Sequence, residues 1–242
     1  MTADIEVVRN ARARRLRLSV DPASGRVRLT LPPRASLRQA MRWVEEHGEW
    51  IARQRAVLPE ERPFDPGARF PLEGEEVEID WAPGRPRRIA LEDGRLVCGG
   101  PAEGLSRRIE TWLRRRALDV LSVETAEFAA LAGVTVSRVA VADPKSRWGS
   151  CAATGVIRYS WRLILAPPHV RRATAAHEVA HRLEMNHSPA FHAHVRRLLG
   201  ADPAGARAWL RRHGAGLHWI GRRSGAGAGV RGRSAGAVPG AG

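Results

Sequence analysis

The chain has 242 residues, 43% of them hydrophobic, which is enough to bury a core without disulfide or metal staples and suits one domain or two small ones. Its 40 Lys and Arg outnumber 25 Asp and Glu for a formal charge of +15, yet Lys145 is the single lysine, so the arginine excess reads more simply as a coding bias than as a function. Cys98 and Cys151 form no CxxC pair, the first ten residues carry Asp4 and Glu6 with no apolar stretch, and no apolar run approaches a bilayer span, which disfavours a disulfide framework, a cysteine zinc ribbon, secretion and membrane insertion. A reducing, cytoplasmic location is therefore expected, with no membrane partner.

The segments Arg15 to Val20 and Arg26 to Leu31 alternate arginine or hydroxyl with aliphatic residues, predicting two half-buried antiparallel strands joined near Ser24 and Gly25. After Pro32 and Pro33, Ser36 can cap a helix whose apolar positions Leu37, Met41, Val44, Ile51 and Leu58 keep helical spacing up to Pro59. Trp43 and Trp50 on that helix are expected to pack against the sheet. Short runs between residues 69 and 98, such as Val77 to Trp81 and Arg95 to Cys98, are bounded by Gly and Pro and predict further strands. A second long helix carries Leu105, Ile109, Leu113, Ala117, Val120 and Phe128 on one stripe and stops at Gly133.

Beyond it a strand is expected from Val134 to Ala142, then a polar turn at Asp143 and Pro144. The segment Arg147-Trp148-Gly149-Ser150-Cys151 follows, with a strand pair around Thr154 and Gly155 that ends at Pro167. The strand from Val156 to Trp161 offers an edge to an extended peptide. Gly149 permits a bulge or a close backbone approach. From Gly214 onward the composition is mostly Gly, Ala, Arg and Ser with no acidic residue, too poor in apolar groups to fold alone, although Trp219 and Ile220 can dock on the body.

The next helix contains His177-Glu178-Val179-Ala180-His181, an HExxH pattern expected by chance only about 0.02 times in a chain of this composition. Residues four apart on a helix are offset by about 40° and 6 Å, so both imidazoles leave one face at a spacing one Zn²⁺ can use. Glu178 sits one residue round, where it can take a proton from metal-activated water and pass it to a leaving amine. A catalytic zinc takes three protein ligands. The downstream candidates are His187, His192 and His194, with Glu184 as a carboxylate option. His187 reaches the site only if the helix stops first, and Asn186 in a left-handed conformation, Ser188 as N-cap and Pro189 as first helical residue supply such a stop. Possible donors to a developing oxyanion are Arg147, Tyr159 and His194.

The stretches Asp143 to Cys151, Ser160 to Pro168, His177 to His181 and Asn186 to Phe191 closely resemble the YgjP-like metallopeptidases, zinc-dependent hydrolases related to the SprT-like proteases. The likeness runs from about residue 8 to residue 215 and is strongest from 135 to 200. It implies a zincin-type unit with zinc on His177, His181 and His187, Glu178 as general base, and a protein or peptide substrate. Two positions depart from the family: His192 stands where a Trp is usual, and Val179 where a Leu is. The expected organisation is α+β: a β-rich part with one long helix over 1–100, a zincin-like part over 101–215 with the HExxH helix on a small, mostly antiparallel sheet, and a disordered tail over 216–242. The arginines leave weak nucleic-acid association, or a metal-bound inactive scaffold, as the competing functions.

Overall fold

The structure, a computed structural model, describes residues 5–223. It is an α+β arrangement of three small sheets and the helices that cover them. The alternating N-terminal segment forms β1 (Ile5–Arg9), β2 (Arg17–Val20) and β3 (Val27–Leu31), with β3 in the middle. The expected antiparallel pair is β2 with β3, while β1 lies parallel to β3 on its other side. Leu29 and Leu31 turn inward onto Ala40 and Val44 and form a small cluster of their own, with Trp43 packed at its margin.

Ser36 caps α1 (Leu37–Glu46), its hydroxyl accepting from the Gln39 N–H at 3.4 Å. The helix does not run on to Pro59. It breaks at His47, and α2 (Gly48–Ala56) begins anew. Gly48 is a poor helix former, and the His47 ring meets the Trp43 carbonyl at 2.7 Å, giving the end of α1 a local partner. Leu37, one of the positions counted toward the apolar stripe, is 47% exposed, and the buried residues of α1 are Ala40 and Val44.

The second sheet holds β4 (Arg69–Leu72), β5 (Glu75–Ala82), β6 (Ala90–Glu92) and β7 (Arg95–Gly99) in the order β4-β5-β7-β6, with β5 and β7 parallel. Its first hairpin turns on Glu73 and Gly74, both at positive φ, the backbone a two-residue turn needs to match strand twist. The Glu73 N–H donates to the Ile164 carbonyl at 2.7 Å, so this turn docks the sheet onto the C-terminal half.

The long helix α3 (Leu105–Ala132) ends as expected at Gly133, φ 66°. The third sheet contains β8 (Arg138–Ala142), β9 (Gly149–Cys151) and β10 (Val156–Ser160) in the order β8-β10-β9. Three expectations are corrected here. The sheet is mixed, not mostly antiparallel, because β10 pairs parallel with β8 and antiparallel with β9. β10 is the central strand, so it has no free edge for a peptide; β9 and β8 carry the edges. Nor does the strand reach Pro167: Ser160 caps a 3₁₀ turn, Trp161–Leu165, by accepting from the Arg162 N–H, and Pro168 opens α4 (Pro168–Ala180).

Two more helices, α5 (Pro189–Leu199) and α6 (Ala204–Leu217), complete the layer, and α4 packs against α3, α5, α6 and β9. One large hydrophobic cluster draws on residues from Phe64 to Ile220. The core is therefore continuous across residue 100, and the separate cluster is the N-terminal one alone. The expected tail starts too early, since α6 extends to Leu217 and Trp219 and Ile220 are 7% and 2% exposed. Residues 224–242, the rest of that tail, lie outside the described residues. No helix among the described residues is long and apolar enough to cross a membrane.

Candidate metal centre

The sequence from His177 to Phe191 builds a helix, a bend and a second helix. His177 and Glu178 lie in the last turn of α4, and His181 is its C-cap, still in helical conformation at φ −64° and ψ −14°. The i,i+4 relation of the two histidines survives, with ring centroids 5.1 Å apart. The chain then leaves the helix. Asn186 does this with its side chain, Oδ1 accepting from the Ser188 N–H at 2.9 Å, and not through the left-handed backbone expected of it, since Glu73 and Asp93 are the residues other than glycine at positive φ among the described residues. Ser188 caps α5 by accepting from the Phe191 N–H at 3.2 Å, with Pro189 at the first helical position.

This bend returns His187 to the two helix histidines. One ligand-capable atom from each of His177, His181 and His187 lies within 4.8 Å of the others, and the Nε2 atoms of His177 and His187 are 3.3 Å apart. Ligand nitrogens on one tetrahedral metal ion stand roughly 3.3 Å from one another, a spacing the His177–His187 pair already has, and the three residues together could hold a divalent metal. His181 Nδ1 lies 3.2 Å from the Glu184 carbonyl, which takes its N–H and leaves Nε2 with a free lone pair. Glu184 thus serves through its backbone, and the carboxylate option is not used in the cluster.

Phe191, fully buried on α5, backs all three imidazoles at centroid distances of 4.5 to 4.8 Å. In the sequence its only mark is its place three residues after the Ser188 cap, in the first turn of α5. Burial, then the neighbouring imidazoles, push His177 down to about 4, and burial also lowers His181. Both favour the neutral form that binds metal.

Glu178, the residue after His177 in the same last turn of α4, lies against β9. It is 5% exposed, and burial pushes its carboxyl up to about 7, against the pull of the Arg147 guanidinium. Its space is created by Gly149 of β9: a Cβ there would sit 2.7 Å from Glu178 Cδ and closer still to Oε1. Gly149 is the close approach the sequence allowed for, but its partner could not be read without the tertiary contact between α4 and β9. Trp148 packs beside it against Gly214 and stacks on His218 at 5.3 Å.

The remaining candidates separate. Arg147 is exposed and close enough to bias the Glu178 charge. Tyr159 is 1% exposed, and its hydroxyl is 2.9 Å from Thr125 Oγ1, so burial both raises its pKa and removes it from any substrate. His194 is turned toward Arg197, 3.4 Å away. His192 stacks 6.4 Å from His187 and lines, with Arg196 and Arg207, an open pocket of about 500 Å³ beside the cluster.

No curated protein and no solved structure matches the chain. The domain model described as YgjP-like, metallopeptidase domain, matches residues 14–213, which takes in both sheets of the C-terminal body, the three histidines and Glu178, and the chain accordingly belongs to the YgjP-like metallopeptidase family.

Proposed function

We propose that this protein is a zinc peptidase with a zincin-like catalytic unit, in which His177, His181 and His187 hold the ion and Glu178 is the general base. The observation that carries the reading is the convergence of three imidazoles, two of them kept neutral by burial, next to a buried carboxyl raised to about 7. Imidazole donors without thiolate suit zinc, and three protein ligands leave one position for chemistry. When bound, the ion supplies Lewis acidity, polarising a scissile carbonyl and making water a stronger acid.

The protein's own groups do the rest. Glu178, with a pKa near neutrality, accepts a proton from the attacking water and delivers it to the leaving amine. Arg147 helps keep that carboxylate ionised and is the one of the three candidate oxyanion donors that is both exposed and near it. An extended protein or peptide substrate is accommodated along the free edge of β9, which packs against α4, since β10 is paired on both sides.

Elemental analysis of tag-free protein tests the ligand set and activity tests the base. The expected result is near one zinc per chain in the wild type, far less in His187→Ala, and full zinc with peptidase activity lowered at least about 100-fold in Glu178→Gln. Full peptidase activity in Glu178→Gln would overturn the assignment of the base, and a folded wild type that takes up no zinc on reconstitution would overturn the metal site.

A further inference from the structure

We infer that the N-terminal layer binds single-stranded nucleic acid in an arginine- and tryptophan-lined groove separate from the metal centre. The groove, about 880 Å³ and open to solvent, lies where the loop between β1 and β2 faces the α1–α2 break, and Arg12, Arg14, Arg15, Arg17, Trp43 and Trp50 line it. Residues 5–58 hold twelve arginines against five acidic residues. Coding bias accounts for how many arginines the chain has, but not for where they gather or what they leave unpaired.

The four groove arginines are exposed, and their guanidinium groups have no hydrogen bond or ion pair among the described residues. Others in the same layer are committed: Arg28 pairs with Glu6 at 3.0 Å, Arg53 with Glu49 at 3.6 Å, and Arg9 holds the Pro33 carbonyl at 2.7 Å. Free, closely spaced guanidinium groups attract a run of phosphates. The second half of the recognition is aromatic. Trp43 packs partly on the small N-terminal cluster and approaches His47 at 4.3 Å, while Trp50, half-buried, lies seven residues on, in α2, at the same groove.

Indole faces beside a cationic track are what unstacked bases need, and a duplex keeps its bases out of their reach. This favours a single strand over a duplex, and a nucleic acid over an acidic protein, whose carboxylates would use the arginines and leave the indoles idle. The break at His47 and Gly48, absent from the sequence periodicity, lies at this groove, so that Trp43 of α1 and Trp50 of α2 both line it.

Fluorescence anisotropy of a labelled 15-nucleotide oligothymidylate, titrated with the full chain over a range of KCl, tests this. The log affinity is expected to fall with log salt at a slope of about −3 for four phosphate contacts. Arg12→Ala/Arg14→Ala/Arg15→Ala should lower that slope to about −1, because each lost contact removes roughly 0.7. Trp50→Leu should weaken binding about tenfold with the salt slope unchanged. Glu178→Gln should bind like the wild type, which keeps this result independent of the peptidase reading, and unchanged circular dichroism in the variants excludes misfolding. Failure to bind at 50 mM KCl, or wild-type binding and slope in the triple variant, would overturn the proposal. Equal affinity for the matching duplex or for phosphatidylserine vesicles would overturn the assignment to single strands.

Discussion

Gly149 and Glu178 show how much a single residue's meaning depends on its neighbour. Trp148-Gly149-Ser150-Cys151 is conspicuous as sequence, and glycine there says only that something comes close; the structure identifies that something as the buried carboxyl of Glu178. A side chain at position 149 must displace either β9, held by β10, or the carboxyl itself. On the proposed roles, Gly149→Ala is therefore expected to retain near one zinc per chain, since Glu178 and not a histidine is what a Cβ there would meet first, while kcat falls about 100-fold because the misplaced carboxyl loses its geometry. Metal content and steady-state kinetics on the same preparation check this; undiminished kcat would mean that Glu178 has room to move or is not the base. The histidines were legible for the opposite reason. Their i,i+4 spacing and the Asn-His-Ser-Pro stop are local rules, whereas Tyr159 looked available as a donor because nothing local reveals that Thr125, on α3, takes its hydroxyl.

At the level of elements, the C-terminus of α6 is held by a buried arginine. Arg162 is 7% exposed; its Nη1 donates to the Leu217 and Ile220 carbonyls at 2.6 and 3.0 Å, and its other edge meets Asp143 at 2.7 and 3.3 Å. It also lies over the Trp161 ring at 4.5 Å, and Lys145 reaches Asp143 at 3.2 Å. The guanidinium thus supplies donors to carbonyls that a helix end leaves without partners. Asp143→Ala strands that buried cation and is expected to cost about 3 kcal/mol, read as a lower denaturant midpoint. Adding Arg162→Met should recover part of the loss, because an apolar side chain has no charge to leave unpaired, although the Leu217 and Ile220 carbonyls then lose their donor. Additive losses in the double-mutant cycle would show that the two residues do not act as a pair. The turn at Asp143 was legible from its Pro144. Its partner, 19 residues on at the mouth of a 3₁₀ turn, was not, because the segment to Pro167 reads equally well as a strand until Ser160 caps it.

Across the whole molecule, the small N-terminal cluster and the large C-terminal core have separate hydrophobic contents, and the chain just past α6 joins them. The Trp219 indole N–H donates to the Pro22 carbonyl at 2.8 Å, and its ring meets the turn at Gly25. Gly25 is at φ 71°, which side chains rarely adopt, with Leu58 and Trp219 close around it. Arg222 adds a bond to the Ser24 carbonyl at 3.0 Å and an ion pair with Glu61 at 3.2 Å, and Arg62 bridges to Ile220. Composition argued for a tail from residue 216 because Gly and Ala dominate there; two apolar residues with a specific receiving surface outweigh that average. Trp219→Ala removes the largest side chain of the link, a change that costs about 3–5 kcal/mol when the site is fully buried. Because the N-terminal layer buries only a few residues of its own, the loss should fall on it. Hydrogen exchange is expected to quicken throughout β1, β2 and β3 in this variant while α4 keeps its protection. Uniform acceleration in both halves would mean that the chain unfolds as one cooperative body and that the link is no boundary.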